Sequence, residues 1–196
     1  FVLINQYIDR TLNRERSFFD NELVAHVSLA NPTSKDLSDL IYKSKNKDLK
    51  VKKGGTYIAI DGPQFSTYAE SLLFKSWGCD VIGMTNMPEA RLAREAEMGY
   101  ASISMVTDYD CWNRSHADVT VDQVLEVMSN NTRKVQTLLI NFFNKLLELE
   151  SWNWSNTIYN NLDNSIITDF KKVNKKNIKR LKPILERYLI KNGYVI

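Results

Sequence analysis

Two aspartates, Asp108 and Asp110, stand two residues apart just after an apolar run that is typical of a β-strand. Residues i and i+2 of an extended segment point to the same side, so we expect the two carboxylates to face the same space. Carboxyl groups placed in this way can deliver or accept a proton. Such a pair is also common in ordinary solvated turns, so the motif alone leaves both interpretations open.

The aspartates belong to the last of three polar turns, each of which directly follows an apolar run. We name these the first turn (residues 61–66), the second turn (residues 84–89) and the third turn (residues 107–112). Open α/β sheets bind their ligands at the carboxyl ends of strands. Any one turn could serve the backbone alone, but three on successive strand ends predict a ligand pocket.

Other side chains in these turns have two possible roles. Phe65 could stack on a planar ligand or fill the core. Met84 and Thr85 could present an apolar face and a hydroxyl to a sugar or a phosphate, although a methionine that closes a strand usually serves packing. The sequence contains neither a glycine-rich phosphate loop of the nucleotide-binding type nor a serine nucleophile elbow.

The elements that position these turns are predicted from apolar periodicity. Strand-like runs alternate with helical ones, which favours an α/β layered sheet. The predicted strands are residues 1–4, 23–30, 56–60, 80–84 and 100–106, and the predicted helices are residues 32–48, 66–77 with Ser66 as the cap, 89–98 and about 120–149.

Composition sets the broad class. The chain has 196 residues, of which 43% are hydrophobic and 25% charged, as in a soluble globular domain. No apolar stretch approaches the roughly 20 residues of a membrane span, and the opening FVLINQYIDR does not resemble a signal peptide, so we expect a cytoplasmic protein without a membrane partner. Two cysteines (Cys79, Cys111) and two histidines (His26, His116) lack the short paired spacing of a zinc site.

Charge is uneven along the chain. From residue 151 onward there are nine lysines and arginines against three acidic residues, a net charge of +6, and the remainder of the chain is at −3. A basic tail could bind nucleic acid. Its aromatic residues and helically spaced aliphatic residues instead predict a packed tail, so nucleic acid is not an expected partner. The residues concerned are Trp152, Trp154, Leu181, Ile184 and Leu185.

Longer motifs carry a resemblance to a known family. The stretches DGPQFSTYAES (61–71), WGCDVIGMTNMPEARLAREAEMGYASISMVTDYDCW (77–112) and VTVDQVLEVM (119–128) resemble the S-methyl-5′-thioadenosine phosphorylases, and NQYIDRT (5–11) and VAHVSLANP (24–32) fit the same family. The resemblance predicts a partial nucleoside phosphorylase domain over residues 1–149 and a basic helical extension over residues 150–196.

The resemblance implies a fold and a reaction. The fold would be α/β, a purine nucleoside phosphorylase-like three-layer sandwich with a central mixed sheet, truncated at the N-terminus and followed by the helical extension. The enzyme would be a homotrimer with active sites near subunit interfaces. It would cleave S-methyl-5′-thioadenosine with phosphate to adenine and 5-methylthioribose 1-phosphate, in purine and methionine salvage, with phosphate as co-substrate and no cofactor or metal.

The resemblance also implies roles for residues around the sugar and the purine. Phe65 and Ser66 would line the purine site, with the Phe65 ring against adenine. Met84 would lie under the ribose, and the Thr85 hydroxyl would bind phosphate.

Further roles follow for the acidic and apolar candidates. Asp108 would be the catalytic residue that bonds purine N7, and Asp110 would accept from the exocyclic amino group. Val124 and Leu125 would form the wall of the methylthio pocket. His26 would reach the 5′ end of the substrate in a neighbouring subunit.

Two alternatives stay open beside this interpretation. The family's glycine-rich phosphate loop and its Arg-His phosphate pair have no counterpart here, which implies an incomplete chain with Thr85 as its remaining phosphate contact. One alternative is a 6-oxopurine nucleoside phosphorylase. Asp110 argues against it, because a 6-oxo group needs a hydrogen-bond donor and a carboxylate is an acceptor. The other is an inactive oligomerisation or interaction fragment.

Overall fold

A computed structural model describes residues 1–19, 22–114, 120–151 and 156–194 of the chain. The strands are β1 (Val2–Ile4), β2 (Gln6–Asp9), β3 (Lys52–Lys53), β4 (Thr56–Ala59), β5 (Val81–Gly83) and β6 (Ser102–Ser104). The helices are α1 (Lys35–Lys43), α2 (Tyr68–Ser76), α3 (Glu89–Glu95), α4 (Val121–Leu147), α5 (Asn156–Tyr159) and α6 (Lys175–Lys191), with one 3₁₀ turn at Phe170–Lys172.

The strands form two three-stranded sheets, ordered β3-β1-β6 and β2-β4-β5. Only β1 and β6 pair antiparallel among these, so the arrangement is mixed, as expected for this α/β class. β1 and β2 are separated by Asn5 alone, where the extended chain passes from one sheet to the other. The Asn5 side chain accepts a hydrogen bond from Gly55 N at 2.8 Å, which ties the crossing point to the start of β4.

Helices cover both faces of β1, because successive strand residues point to opposite sides. Leu3 packs with Ile41 of α1 and with Leu138 and Phe142 of α4. On the opposite face, Val2 and Ile4 pack in a cluster with four further buried residues. These are Tyr57, Ala59, Met87 and Ala90. The sheet therefore lies between α1 and α4 on one side and the second turn with α3 on the other.

Several predicted boundaries differ from the structure. The expected strand at 23–30 is reduced to one antiparallel bridge between Ala25 and Ile166. Leu23 packs in a hydrophobic cluster with residues of the tail instead of in a sheet. α2 is capped by Thr67 and not by Ser66: the Thr67 hydroxyl accepts from Glu70 N, and the Glu70 carboxylate accepts from Thr67 N. β2, β3 and α5 were not predicted, and the other helices and strands that were predicted with bounds are shorter than expected.

The tail packs against the domain, as its periodic aliphatic residues predict. Leu181 and Leu185 are buried in a cluster that includes Phe19 and Leu23 from the first part of the chain, and Ile184 packs against it half-buried. Polar contacts fix the same junction. The Arg187 guanidinium bonds Glu97 and Asp163, each at 2.7 Å, and Lys191 also pairs with Asp163. Trp152 and Trp154, the other predicted anchors, lie outside the described residues.

No helix in the described ranges combines the length and the apolar character that a membrane span requires.

Candidate active site

The first and second turns are in direct contact through Gly62 and Met84. Gly62 has a φ of +75°, and a Cβ added there would lie 2.4 Å from Met84 Sδ. Any side chain at position 62 would therefore displace Met84. The glycine thus allows the Met84 side chain to lie against the first turn.

Arg14 holds these two turns together from outside the sheet. Its guanidinium donates to Met87 O at 2.6 Å and to Met84 O at 3.1 Å, and its Nε pairs with an Asp61 carboxylate oxygen at 3.2 Å. The other Asp61 oxygen accepts from Leu12 N at 2.7 Å. Arg14 was not predicted as a site residue, since it stands in a polar loop more than 45 residues from its partners.

The second turn is also held by hydrogen bonds to buried Tyr57 and to half-buried Tyr100 and Ser102. Tyr57 Oη lies 3.2 Å from Thr85 Oγ1 and accepts from Thr85 N at 3.3 Å. Asn86, with a φ of +69°, accepts at Oδ1 from Tyr100 Oη at 3.3 Å and from Ser102 Oγ at 3.2 Å. Burial, with a smaller effect from the nearby acidic charge on α3, raises the pKa of Tyr100 to about 12, so this phenol remains a donor at neutral pH. Thr85 itself is exposed to solvent.

The third turn is bound to α2 through Asp110. One carboxylate oxygen of Asp110 accepts from Ser71 Oγ at 2.6 Å, and the other accepts from Cys111 N at 2.9 Å. Ser71 in turn accepts from Trp112 N at 3.1 Å, and Cys111 Sγ lies 3.5 Å from Ser66 O. These contacts place Asp110 beside the end of the first turn. The three predicted turns therefore form one connected region.

Asp108 has different surroundings from Asp110. β6 ends at Ser104 and the chain bends at Asp108, so the extended segment assumed in the spacing argument is not present. The Asp108 carboxylate is exposed and accepts from the Thr107 hydroxyl, while Asp110 is half-buried and bound to α2. The two carboxylates thus have separate hydrogen-bond partners.

The two purine candidates in the first turn differ in exposure. Phe65 is 73% exposed, which excludes the alternative that it fills the core of this chain. Ser66 Oγ is buried and has no hydrogen-bond partner among the described residues. A buried hydroxyl without a partner is costly, and a bound ligand is one way to satisfy it.

The remaining candidates lie away from these contacts. Val124 and Leu125 are the fourth and fifth residues of α4, where Leu125 is 61% exposed. His26 lines a cavity of about 990 Å³ together with Lys35 and Arg94, and no residue of the three turns lines that cavity. His116 lies outside the described residues. The described part of the chain shows no cluster of three or more His, Cys, Asp or Glu suited to a metal.

Comparison with known proteins defines the class to which this fold and site belong. A family profile described as the phosphorylase superfamily matches residues 1–144, and the chain belongs to this superfamily. The three turns and the residues that hold them all fall within the matched range. The profile ends within α4, before the tail.

Within the superfamily, the chain is similar to S-methyl-5′-thioadenosine phosphorylases, which confirms the resemblance. It is 45% identical over 191 residues to the protein of that name from Rhodospirillum rubrum, covering 96% of this chain and 64% of the relative. It is 52% identical over 140 residues to the protein of that name from Cereibacter sphaeroides, covering 71% of this chain and 48% of the relative. The chain thus spans less than two thirds of these relatives' length.

Solved structures support the same relationship. A methylthioadenosine phosphorylase from an antarctic soil metagenomic library superposes with a TM-score of 0.83 at 32% identity, covering 94% of this chain and 64% of that one. The Schistosoma mansoni methylthioadenosine phosphorylase in complex with adenine superposes with a TM-score of 0.73 at 32% identity, covering 85% of this chain and 66% of that one. The first superposition and the Rhodospirillum alignment both extend well into the tail, beyond residue 149.

Proposed function

We propose that the protein cleaves S-methyl-5′-thioadenosine by phosphorolysis, yielding adenine and 5-methylthioribose 1-phosphate. The observation that carries this proposal is the junction of the three turns, in which Met84, Thr85, Ser66 and Asp110 come from segments similar to the methylthioadenosine phosphorylases. Phosphate is the co-substrate, and the reaction needs no metal or organic cofactor.

The sugar and phosphate side of the reaction is assigned to the second turn. Breaking the glycosidic bond leaves positive charge on the sugar, and a phosphate oxygen beneath the ring stabilises that charge as it forms the new bond to C1′. The exposed Thr85 hydroxyl donates to this phosphate. Met84, held against Gly62, provides the apolar surface under the ribose.

The purine side is assigned to the first and third turns. The electron pair of the broken C–N bond passes into the purine, and a proton from Asp108 to N7 makes the leaving adenine neutral. Asp110 accepts from the exocyclic amino group with the lone pairs that its bonds to Ser71 and Cys111 leave available. Ser66 Oγ gains a partner from the purine, and the Phe65 ring stacks on its face.

The methylthio end of the substrate extends beyond these three turns. We assign Val124 and Leu125 to its apolar wall, because Leu125 is exposed and aliphatic at the start of α4. His26 faces a separate cavity, which agrees with a role in the site of a neighbouring subunit of a homotrimer. Size-exclusion chromatography with light scattering tests for the trimer. In a monomer, His26 would have no neighbouring subunit whose site it could reach.

The experiment is an assay of adenine release from S-methyl-5′-thioadenosine by the full-length protein, with and without phosphate. We expect release that depends on phosphate, and slower release by Thr85→Val, which removes the hydroxyl and keeps the shape. Thr137→Val on α4 is the matched control, since within the described residues that hydroxyl bonds only its own helix at Arg133 O. A protein that releases hypoxanthine from the 6-oxo analogue in preference to adenine would be the 6-oxopurine enzyme, and this proposal would be wrong.

A further inference from the structure

We propose that Tyr57 is a positioning residue, which fixes the hydroxyl of Thr85 as a hydrogen-bond donor toward phosphate. The inference rests on the proposed function, because it assumes that Thr85 binds phosphate. It adds a residue that stands in the interior of β4 and touches the ligand only through another side chain.

The hydroxyl hydrogens of Tyr57 and Thr85 can be arranged so that the Thr85 hydroxyl is free to donate to phosphate. Thr85 N donates to Tyr57 Oη at 3.3 Å, so the phenol oxygen already accepts a bond. Its own hydrogen reaches Thr85 Oγ1, 3.2 Å away, which then acts as the acceptor. A threonine hydroxyl has a single hydrogen, and in this arrangement that hydrogen is directed away from Tyr57. The unprotonated oxygens of a phosphate ion only accept, so this orientation of the Thr85 hydroxyl suits a phosphate site.

Tyr57 is held firmly enough to impose this orientation. Its side chain is 4% exposed, and the ring of Tyr7 packs edge-on against it with centroids 5.9 Å apart. The phenol passes over Gly83 of the neighbouring strand, where an added Cβ would lie 2.0 Å from Tyr57 Oη. Gly83 therefore leaves the space through which Tyr57 reaches Thr85, and the two positions depend on each other.

The test is Tyr57→Phe in the full-length protein, which removes the hydroxyl and keeps the ring. The loss of one donor that orients a charge-binding group predicts a roughly tenfold rise in the KM for phosphate. The KM for the nucleoside should change by less than about twofold, since among the residues described the Tyr57 hydroxyl bonds Thr85 and nothing in the first or third turn. Amide hydrogen exchange at Thr85 should become faster, because its acceptor is lost.

Tyr7→Phe is the matched control. It removes a second buried phenol hydroxyl next to the same ring, and the neighbours of that hydroxyl, Tyr100 and Ser102, hold Asn86 and not Thr85. A general loosening of the sheet would raise the phosphate KM in both variants. The inference requires the rise in Tyr57→Phe alone.

Thr85→Val supplies the second test, since Tyr57 is argued to act through the Thr85 hydroxyl. In that background the Tyr57→Phe change should have no further effect on the phosphate KM. Additive effects of the two changes would overturn the inference, and so would an unchanged phosphate KM in Tyr57→Phe alone. If the wild-type protein releases no adenine with phosphate, the proposed function fails as well, so the two failures are distinguishable.

Discussion

The role of Asp110 in choosing between purines leads to a sharp prediction. Its two oxygens each accept one bond, from Ser71 Oγ at 2.6 Å and from Cys111 N at 2.9 Å, so the carboxylate is held in place with lone pairs remaining. An ionised carboxylate has no hydrogen to donate, so it suits the amino group of adenine and opposes the oxygen of a 6-oxopurine. In Asp110→Asn, the amide oxygen can keep the Cys111 bond while the amide nitrogen provides hydrogens for Ser71 and a 6-oxo group.

The size of this preference follows from the free-energy cost of placing two hydrogen-bond acceptors opposite each other. Leaving a buried polar group without a partner costs about 1–3 kcal/mol, and two facing acceptors belong at the upper end. Since about 1.4 kcal/mol is a factor of ten, we expect the native protein to favour the aminopurine by about a hundredfold in kcat/KM. In Asp110→Asn we expect this preference to fall to about parity or to reverse.

The assay compares kcat/KM for 5′-methylthioadenosine and 5′-methylthioinosine in the full-length protein and its variants. Ser71→Ala is the control, because it removes the bond to one Asp110 oxygen and keeps the carboxylate itself. It should lower kcat/KM for both substrates by a similar factor and leave their ratio unchanged. A ratio that is the same in Asp110→Asn as in the native protein would refute the assignment of Asp110 to specificity.

Three further predictions concern catalysis and the tail. Asp108→Ala should lower kcat by roughly 10²–10⁴ with little change in KM, as expected for a proton donor, and a change confined to KM in steady-state kinetics would make Asp108 a binding residue. Leu185→Ala should reduce the free energy of unfolding by about 2–5 kcal/mol, whereas Ile190→Ala on the exposed side of α6 should stay within about 0.5 kcal/mol in urea titrations. Hydrogen bonds from Lys191 and from the Arg187 guanidinium lower the pKa of Asp163, so its ion pairs stabilise the tail at neutral pH and are lost as the pH falls below about 4. Thermal melts should therefore show a weaker dependence of the melting temperature on acid pH in Asp163→Asn than in the native protein. Equal pH profiles for the two proteins would contradict this.

The fold class was predictable because strand and helix periods alternate clearly in the first part of the chain. Boundaries were harder to predict where local signals compete. Ser66 and Thr67 are both good cap residues, and only Glu70, three positions after Thr67, completes a capping box, a signal that was present in the sequence. β3 consists of two exposed lysines, which carry no apolar pattern, so its pairing with β1 depends on tertiary contact.

The candidate site was predictable as three turns but not as a network. Thr85 and Asp110 belong to recognisable motifs, whereas the side chains that hold them do not. Arg14 contacts carbonyl groups 70 and 73 residues away, and Tyr57 is read from sequence as an ordinary strand aromatic. Ser71 is likewise a helix residue whose partner, Asp110, is 39 residues further on. Such contacts depend on the folded geometry and leave no local pattern.

The most direct measurement of the central claim is ³¹P NMR of the full-length protein with S-methyl-5′-thioadenosine and inorganic phosphate. We predict that the phosphate signal declines and a sugar 1-phosphate ester signal grows, in equal amounts and in step with free adenine. Adenine formed without consumption of phosphate would identify a hydrolase, and the absence of both adenine and the ester would identify a chain without this activity; either result would contradict the account.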